Sequence, residues 1–182
     1  MDKRQRVIVY TLLAVMIAAA VSLVIVKEKN RIASESRIFV YFVGYDNEKQ
    51  ESYLVPLQRE SGKIAELEGK IKFAVEHLFT GLTEEEKAAG LTNAVVEDAL
   101  LLSIKVEGDT VYLDFSKEIE QGGGTEMMTD RLAQIVFTAT QFEPVTKVRM
   151  LIDGNFIKYF SGEGITDVEH PMSRDNFNYS VR

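Results

Sequence analysis

The chain contains no cysteine and no tryptophan, and it has only two histidines among its 182 residues. The lack of cysteine excludes disulfide bonds, thiolate zinc sites, iron–sulfur clusters, a cysteine nucleophile and a lipid-modified cysteine. Two histidines are too few for a multi-histidine metal centre. We therefore expect neither a metal nor a cofactor in this protein.

Positive charge is also scarce, since the formal net charge is −7. A nucleic-acid-binding protein needs a basic face for the phosphates, so we expect no nucleic-acid partner. Residues 37–182 alone carry 15 Lys and Arg against 25 Asp and Glu, a net charge of −10. Such a surface keeps a domain soluble and discourages adhesion to anionic lipid headgroups.

The longest uncharged stretch, residues 7–26, lies near the N-terminus and contains 20 residues. A helix of that length is about 30 Å long, which matches the hydrocarbon core of a bilayer. Arg6 and Lys27 bracket the stretch. We therefore predict one transmembrane helix over residues 7–26, preceded by a cytoplasmic stub, residues 1–6, and followed by a polar stalk, residues 27–36.

Two questions stay open for this segment: whether it is cleaved and which way it is oriented in the membrane. A cleaved signal peptide would also begin with positive charges, and Ala18-Ala19-Ala20 resembles a cleavage site. The apolar run continues past Ala20 to Val26, which favours an uncleaved anchor. Three Lys or Arg flank the run on each side, so the positive-inside rule gives a tie. Ordinary signal-anchor behaviour places the following domain outside the cytoplasm.

The rest of the chain alternates between strand and helix patterns. Strands are predicted at residues 38–43, 53–59, 100–107, 110–115, 147–152 and 156–160. Helices are predicted from Ser61 or Lys63 to Thr80 and from Thr125, a candidate N-cap, to Phe142, with a short capped turn at Thr83. Two helices on one face of a small mixed sheet make an α+β two-layer sandwich. We assign it to residues 37–164 and read residues 165–182 as a tail that frays.

Few residues suggest chemistry. Gly122-Gly123-Gly124 before a helix is typical of a phosphate loop, but no Lys-Ser/Thr pair follows and Glu126 would repel an anion, so we interpret it as a flexible helix entry. Asp114 and Asp153 both follow strands, where paired carboxylates could act as acid and base or bind calcium. Both positions also favour turns, so we predict structural roles and no catalytic residue.

Other polar residues have simpler explanations. His77 near a helix C-terminus gains from the helix dipole. The second helix carries four uncharged polar residues that indicate a packing seam or a partner surface: Gln134, Thr138, Thr140 and Gln141. Thr138 could also bond back to its own helix. Five tyrosines could stack on sugars, although core or interface packing is the favoured use: Tyr41, Tyr45, Tyr53, Tyr112 and Tyr159.

Several segments occur in an order with a familiar pattern. They are Leu54 to Leu57, Ala74 to Gly81, Gly90 to Thr92, Leu100 to Val106, Gly108, Val111, Leu113 to Ser116, Gln134 to Phe142, Val145, Val148 and Ile152 to Gly154. This order resembles the GerMN domain, a module of bacterial sporulation and spore-germination proteins. The resemblance covers about residues 53–155 and extends back to Ile38.

The resemblance implies a non-enzymatic, extracytoplasmic interaction domain that is tethered to the membrane. It also implies a fold similar to the ring-building motif, a small sheet with two helices, and it supplies no catalytic, cofactor or metal residues. Gly81-Leu82 stands where the family often has Gly-Pro. The leading hypothesis is an envelope protein that binds protein partners or its own copies. The alternatives are a module for cell-wall saccharides or small ligands, and a hydrolase using Asp114 or Asp153.

Overall fold

The computed structural model describes residues 2, 15–17, 19–27, 37–160 and 166–182. The chain divides into two compact units, Met1–Arg37 and Ile38–Arg182. In the first unit, residues 15–17 and 19–27 are helical. Large apolar side chains of this unit are exposed at Val15, Met16, Ile17, Val21, Leu23, Val24, Ile25 and Val26.

No helix among the described residues combines the length and the apolar character needed to cross a bilayer. Residues 7–14 and residue 18 of the predicted span lie outside the described residues. Most of the predicted stub, residues 1–6, and of the stalk, residues 27–36, lies outside them as well. The transmembrane helix over residues 7–26 therefore stays a prediction.

The second unit contains eight strands and three α-helices within its described residues. The strands are β1 (Arg37–Asp46), β2 (Glu51–Glu60), β3 (Leu101–Glu107), β4 (Thr110–Phe115), β5 (Lys147–Ile152), β6 (Asn155–Phe156), β7 (Tyr159–Phe160) and β8 (Thr166–Asp167). The α-helices are α1 (Leu67–Thr80), α2 (Glu84–Ala88) and α3 (Thr125–Ala139). Short 3-10 helices occupy Lys117–Glu120 and Arg174–Asn176. The predicted α+β class is thus confirmed.

The strands form three sheets rather than the single sheet expected. β1 and β2 pair as a hairpin, β7 pairs with β8, and the central sheet has the order β3-β4-β5-β6. In the central sheet, β3 and β6 are antiparallel to their neighbours, whereas β4 and β5 run parallel. A parallel pair needs a long crossover, which α3 provides between β4 and β5. The sheet is therefore mixed, as predicted.

The central sheet buries one of its two faces under the helices. Strand side chains alternate between faces, so Val111, Leu113 and Phe115 of β4 point to the same side as Val148 and Met150 of β5. The helix α1 adds a stripe of buried residues, Ile71, Ala74, Val75 and Leu78. The helices α1 and α3 contact each other, and α1 also packs on β3. The opposite face of the central sheet stays outside this core.

The helix α3 is buried on more faces than its sequence pattern predicts. Leu132 and Ile135 join the core of the central sheet. Ala133 and Phe137 form a second cluster with Tyr41 of β1 and Leu54 of β2. The hairpin β1–β2 thus covers the side of α3 that faces away from the first cluster. β1 has both faces covered, as its apolar run predicts.

Three predicted helix boundaries differ from the structure, and the strand predicted at residues 156–160 is two separate strands, β6 and β7. The helix α1 begins at Leu67, after the N-cap Glu66, rather than at Ser61 or Lys63. Gly124, not Thr125, is the N-cap of α3. The same helix ends at Ala139, three residues before the predicted end at Phe142.

The segment 166–182, expected to fray, packs against the rest of the unit. Met172 and Val148 exchange two backbone hydrogen bonds of 2.8 Å, and Met172 lies in the core. Further on, Val181 lies beside Leu54 of β2 as an isolated parallel bridge. These contacts depend on partners far away in sequence, which a local pattern does not reveal.

A buried arginine ties the start of α3 to two loops. The Arg131 side chain is fully buried. Its Nε donates to the Ala94 carbonyl at 2.6 Å, and its Nη atoms donate to the carbonyls of Ile119, Gln121 and Gly122. Burial lowers the pKa of Arg131. The four carbonyls compensate for part of the desolvation of the charge.

We predict that Arg131→Met destabilises the protein by about 3–5 kcal/mol, because the buried carbonyls of Ala94 and Ile119 and the part-buried carbonyls of two loop residues lose their donor. The matched control is Arg59→Met, which removes a bidentate contact with Glu86 at 2.8 and 2.9 Å near the surface and costs about 1 kcal/mol. Urea denaturation monitored by circular dichroism measures both. Equal losses in the two variants would contradict the role given to Arg131.

Candidate interaction surface

Asp114 and Asp153 meet at one end of the central sheet. The buried Asp114 carboxylate accepts a hydrogen bond from the Gly154 N–H at 2.9 Å. The Asp153 N–H donates to the Phe115 carbonyl at 2.9 Å, and Asp153 has a φ of 48°. Asp114 therefore fixes the turn that Asp153 opens. Within the described part of the chain, no group of three or more Asp, Glu, His or Cys could hold a metal.

The triglycine loop and His77 also have structural partners. The Gly122 carbonyl accepts from the buried Arg131 at 3.3 Å, so the loop is held from inside rather than being a free helix entry. His77 lies in the last turn of α1, with its Nδ1 2.8 Å from the Phe73 carbonyl. Its ring stacks on Phe73 at a centroid distance of 3.9 Å. Each feature therefore has a structural contact within the domain.

The edge of β1 forms a seam with Gln134 and Thr138 of α3 and with Gln141, which lies just beyond the end of this helix. The Thr138 hydroxyl accepts from the Tyr41 N–H at 3.1 Å, and Gln134 Nε2 donates to the Tyr41 carbonyl at 2.8 Å. Gln141 accepts from the Phe39 N–H at 2.9 Å and donates to the Phe39 carbonyl at 2.7 Å. We call these three side chains the α3–β1 seam. They take the place of a neighbouring strand, so this surface is a packing seam.

Gln134 reaches further than the other two members of the seam. Its Oε1 accepts from the Ala94 N–H at 2.8 Å, and its Nε2 also donates to Asn93 at 3.1 Å. Thr140, the remaining member of the polar set, bonds back to the Val136 carbonyl at 2.7 Å. The bond within the helix that was considered for Thr138 is thus made by Thr140.

The five tyrosines do not form one cluster. Tyr41 is buried in the core, and Tyr53 lies under the Arg182 guanidinium at 4.2 Å from the ring centroid. Tyr45 and Tyr159 are exposed in separate elements. Tyr112 of β4 contacts another exposed aromatic ring, that of Phe156, edge to face with 6.3 Å between centroids.

Tyr112 and Phe156 belong to the face of the central sheet that lies away from the helices, where Arg149 and Asp114 are themselves buried. This face carries a groove of about 310 Å³ that we call the sheet-face groove, lined by Ser103, Lys105, Glu107, Tyr112, Leu151 and Phe156. Phe156 stands at its side with 63% of its area exposed, and the Arg149 guanidinium lies 4.9 Å from its ring centroid. Lys105 and Glu107 are ion-paired at 2.5 Å. The groove thus offers mainly aromatic and aliphatic surface.

Sequence reasoning missed two exposed apolar residues of the central sheet, Phe156 on β6 and Leu102 on β3, which is 49% exposed. The sequence does hold a signal for the second. Adjacent strand residues point to opposite faces, so the run Leu100-Leu101-Leu102 cannot be buried on one face. The exposure of Phe156 follows from the short pairing of β6 with β5, which no local pattern shows.

A larger groove of about 580 Å³ lies between α2 and the loop that precedes β3, with Thr92, Glu97 and Gln121 among its lining residues. The side-chain amide of Asn93 in its lining already has hydrogen-bond partners. Asn93 Nδ2 donates to the Leu78 carbonyl at 2.7 Å, and Asn93 Oδ1 accepts from the Val95 N–H at 3.2 Å. Asn93 therefore serves to close the end of α1, and this groove is the weaker candidate for recognition.

A buried carboxyl lies on the side of α3 that faces β2. Asp130 accepts from the Tyr179 hydroxyl at 2.5 Å and from the Ser52 hydroxyl at 3.5 Å. Burial raises the pKa of Asp130, and Glu126 adds to the rise. Burial and the Asp130 carboxylate together raise the pKa of Tyr179. The pair fixes the segment 166–182 against α3.

We predict that Gln134→Leu destabilises the protein by about 2–4 kcal/mol, because the Tyr41 carbonyl and the Ala94 N–H lose their partner in a buried site. The control Gln121→Leu alters an exposed amide and should change stability by less than about 0.5 kcal/mol. Urea denaturation measures both variants. If Gln134→Leu left the free energy of unfolding unchanged, water or structural relaxation would be replacing the hydrogen bonds of the seam.

The raised pKa of Asp130 gives a second prediction, on pH dependence. The folded state binds this proton more tightly than the unfolded state, whose pKa lies near 3.8. The resulting stabilisation is therefore complete below that value and is lost as the pH rises through the folded pKa. Asp130→Asn should remove this component, so the difference in unfolding free energy between the two proteins should vary over that window. A constant difference would contradict the assignment.

The comparisons with known proteins agree with this geometry. The family model Germane, described as "Sporulation and spore germination", matches residues 39–158. The first GerMN domain of the sporulation protein GerM from Bacillus subtilis has a TM-score of 0.60 and 23% identity, with 76% of this chain and 98% of that chain covered. A putative lipoprotein from Clostridium perfringens has a TM-score of 0.55 and 20% identity, covering 77% of this chain and 88% of its own.

A longer structure matches as well. The tandem GerMN domains of the Bacillus subtilis protein GerM match with a TM-score of 0.56 and 25% identity, over 76% of this chain but only 44% of that chain. The chain thus spans less than half of the tandem structure. A comparison with curated proteins finds no significant match. The resemblance to GerMN domains is confirmed, and since the family model covers about two thirds of the sequence, the chain belongs to the Germane family of sporulation and spore germination.

Proposed function

We propose that this chain is a membrane-tethered, extracytoplasmic domain that acts by binding protein in the cell envelope and catalyses no reaction. The sheet-face groove is the single observation that carries the proposal. An exposed aromatic ring such as Phe156, beside a concave and largely apolar surface, is typical of protein recognition sites. The ligand would therefore be a protein surface that buries Phe156 and Tyr112.

The local environment of the two aspartates supports a role without turnover. Asp114 already accepts from the Gly154 N–H, and Asp153 takes part in the turn through its backbone. A general acid or base must reach a substrate with its carboxyl group. The use of Asp114 as a turn acceptor argues against the hydrolase hypothesis.

The N-terminal unit supports the tether. Its described helical residues expose Val, Leu, Ile and Met side chains, and exposed apolar surface of that kind is favourable in lipid rather than in water. The predicted span, residues 7–26, would insert with the stub in the cytoplasm and the domain outside. An acidic domain of net charge −10 would remain free of the anionic membrane surface.

The lack of cysteine allows a direct test of location with single-cysteine variants of the full chain. Lys72→Cys places a thiol on the exposed side of α1, and Lys3→Cys is the matched control in the predicted stub. A membrane-impermeant maleimide added to intact, wall-stripped cells should label position 72 at once and position 3 only after lysis. Labelling of position 72 only after lysis would place the domain in the cytoplasm and contradict the proposal.

A further inference from the structure

Residues 178–182 lie along the outer edge of β2 like a short extra strand. The Leu54 N–H donates to the Ser180 carbonyl at 2.9 Å, and the Arg182 N–H donates to the Leu54 carbonyl at 2.9 Å. Val181 forms an isolated parallel bridge with Leu54. We call these five residues the C-terminal strap. The strap closes a sheet edge that would otherwise present the Leu54 backbone groups to another strand.

Two side-chain contacts add to this short backbone pairing. Near the start of the strap, the Tyr179 hydroxyl donates to the Asp130 carboxyl of α3 at 2.5 Å. At its other end, Arg182 donates to Asp46 of β1 at 2.7 Å and lies 4.2 Å from the centre of the Tyr53 ring. Because the backbone pairing is so short, the docking of the strap depends on these two contacts.

The chain just before the strap is held by more extensive packing. Phe177 packs against both apolar clusters, and the buried Met172 exchanges two backbone hydrogen bonds of 2.8 Å with Val148. Residues 180–182, by contrast, are all exposed. Local opening starts where few apolar contacts protect solvent-exposed backbone hydrogen bonds. The strap can therefore open while the preceding residues stay in place.

The carboxyl that holds Tyr179 lies in an unfavourable environment for a negative charge. Asp130 is 9% exposed and forms no ion pair with a Lys or Arg among the described residues. Three groups face it: the Tyr179 hydroxyl of the strap, the Ser52 hydroxyl of β2 at 3.5 Å, and the Glu126 carboxylate one turn earlier on α3. Burial and the neighbouring carboxylate both favour the protonated form, and burial is the main cause that raises the pKa of Asp130.

We propose that the contact between Asp130 and Tyr179 makes the C-terminal strap a pH-sensitive latch on the edge of β2. Protonation of Asp130 favours the docked strap, because a neutral carboxyl costs less to bury than a charged one. When the strap leaves, water reaches Asp130 and the ionised form is stabilised. Rising pH therefore releases the strap and uncovers the Leu54 N–H and carbonyl, whereas lower pH closes it.

The other end of the strap titrates in the opposite sense and over a lower range. The hydrogen bond from Arg182 is the main cause that lowers the pKa of Asp46 below its ordinary value of 3.8. This contact is therefore present above that value and is lost only in stronger acid. Burial and Asp130 raise the pKa of Tyr179, so its hydroxyl stays protonated. Above about pH 4, Asp130 is thus the one of these three side chains that changes its charge.

Hydrogen–deuterium exchange of the full chain in detergent, followed by NMR, measures the opening of the strap. The amides of Leu54 and Arg182 are the reporters, and the Met172 amide, bonded to the Val148 carbonyl, is the reference for global unfolding. After correction for the intrinsic rate of exchange, the opening constant at both reporters should rise with pH, by at most about tenfold per pH unit for one proton. Low concentrations of urea should speed exchange at Met172 but not at the reporters, because local opening exposes little surface.

Three variants assign the pH response to Asp130. Asp130→Asn keeps an acceptor for Tyr179 but cannot ionise, so the reporters should lose their pH dependence. Asp175→Asn is the matched control, because it alters an exposed carboxylate close to the strap and should leave the response unchanged. Glu126→Gln removes the neighbouring charge and should move the response to lower pH.

Three results would overturn the inference. They are an opening constant at the reporters that does not change above about pH 4, an unchanged pH response in Asp130→Asn, and reporters that open only together with Met172. The latch requires neither the proposed location nor a protein ligand in the sheet-face groove. The maleimide labelling test and this one can therefore fail separately.

Discussion

The buried polar side chains of α3 are the feature on which the rest of the domain depends. A helix covered on nearly all sides can carry polar residues only if each finds a partner, because an unpaired buried group costs about 1–3 kcal/mol. Gln134 and Thr138 meet this condition by completing the hydrogen bonds of β1, and Gln141, just beyond the end of the helix, adds to the same seam. Arg131 meets it with four loop carbonyls.

This arrangement decides which surface is left for binding. The seam holds the hairpin β1–β2 against α3, so both faces of β1 and most of α3 lie inside the domain. The segment 166–182 then covers part of the outer edge of β2 through Leu54. The sheet-face groove, with the exposed Phe156 ring at its side, lies on the face of the central sheet away from the helices. Scaffold and recognition surface therefore lie on different elements.

Local sequence patterns predicted those elements that depend on residues close together in the sequence. β4 and β5 begin and end at the predicted residues, since their alternation and flanking turns are local. The capping box of Thr83 and Glu86 opens α2 as expected. The second buried face of α3 and the packed segment 166–182 were missed, because both depend on contacts with distant strands. The polar set on α3 was noticed, yet its role as a seam needed the position of β1.

The family membership accounts for the fold but leaves the function to the exposed surface. We propose a membrane tether for residues 7–26 and a protein ligand for the sheet-face groove. Hydroxyl-radical footprinting of the full chain tests this account most directly, in native membranes and after purification in detergent. The account predicts that Tyr112 and Phe156 lose reactivity in membranes while Tyr45 keeps it. Equal reactivity of Phe156 in the two states would contradict the account.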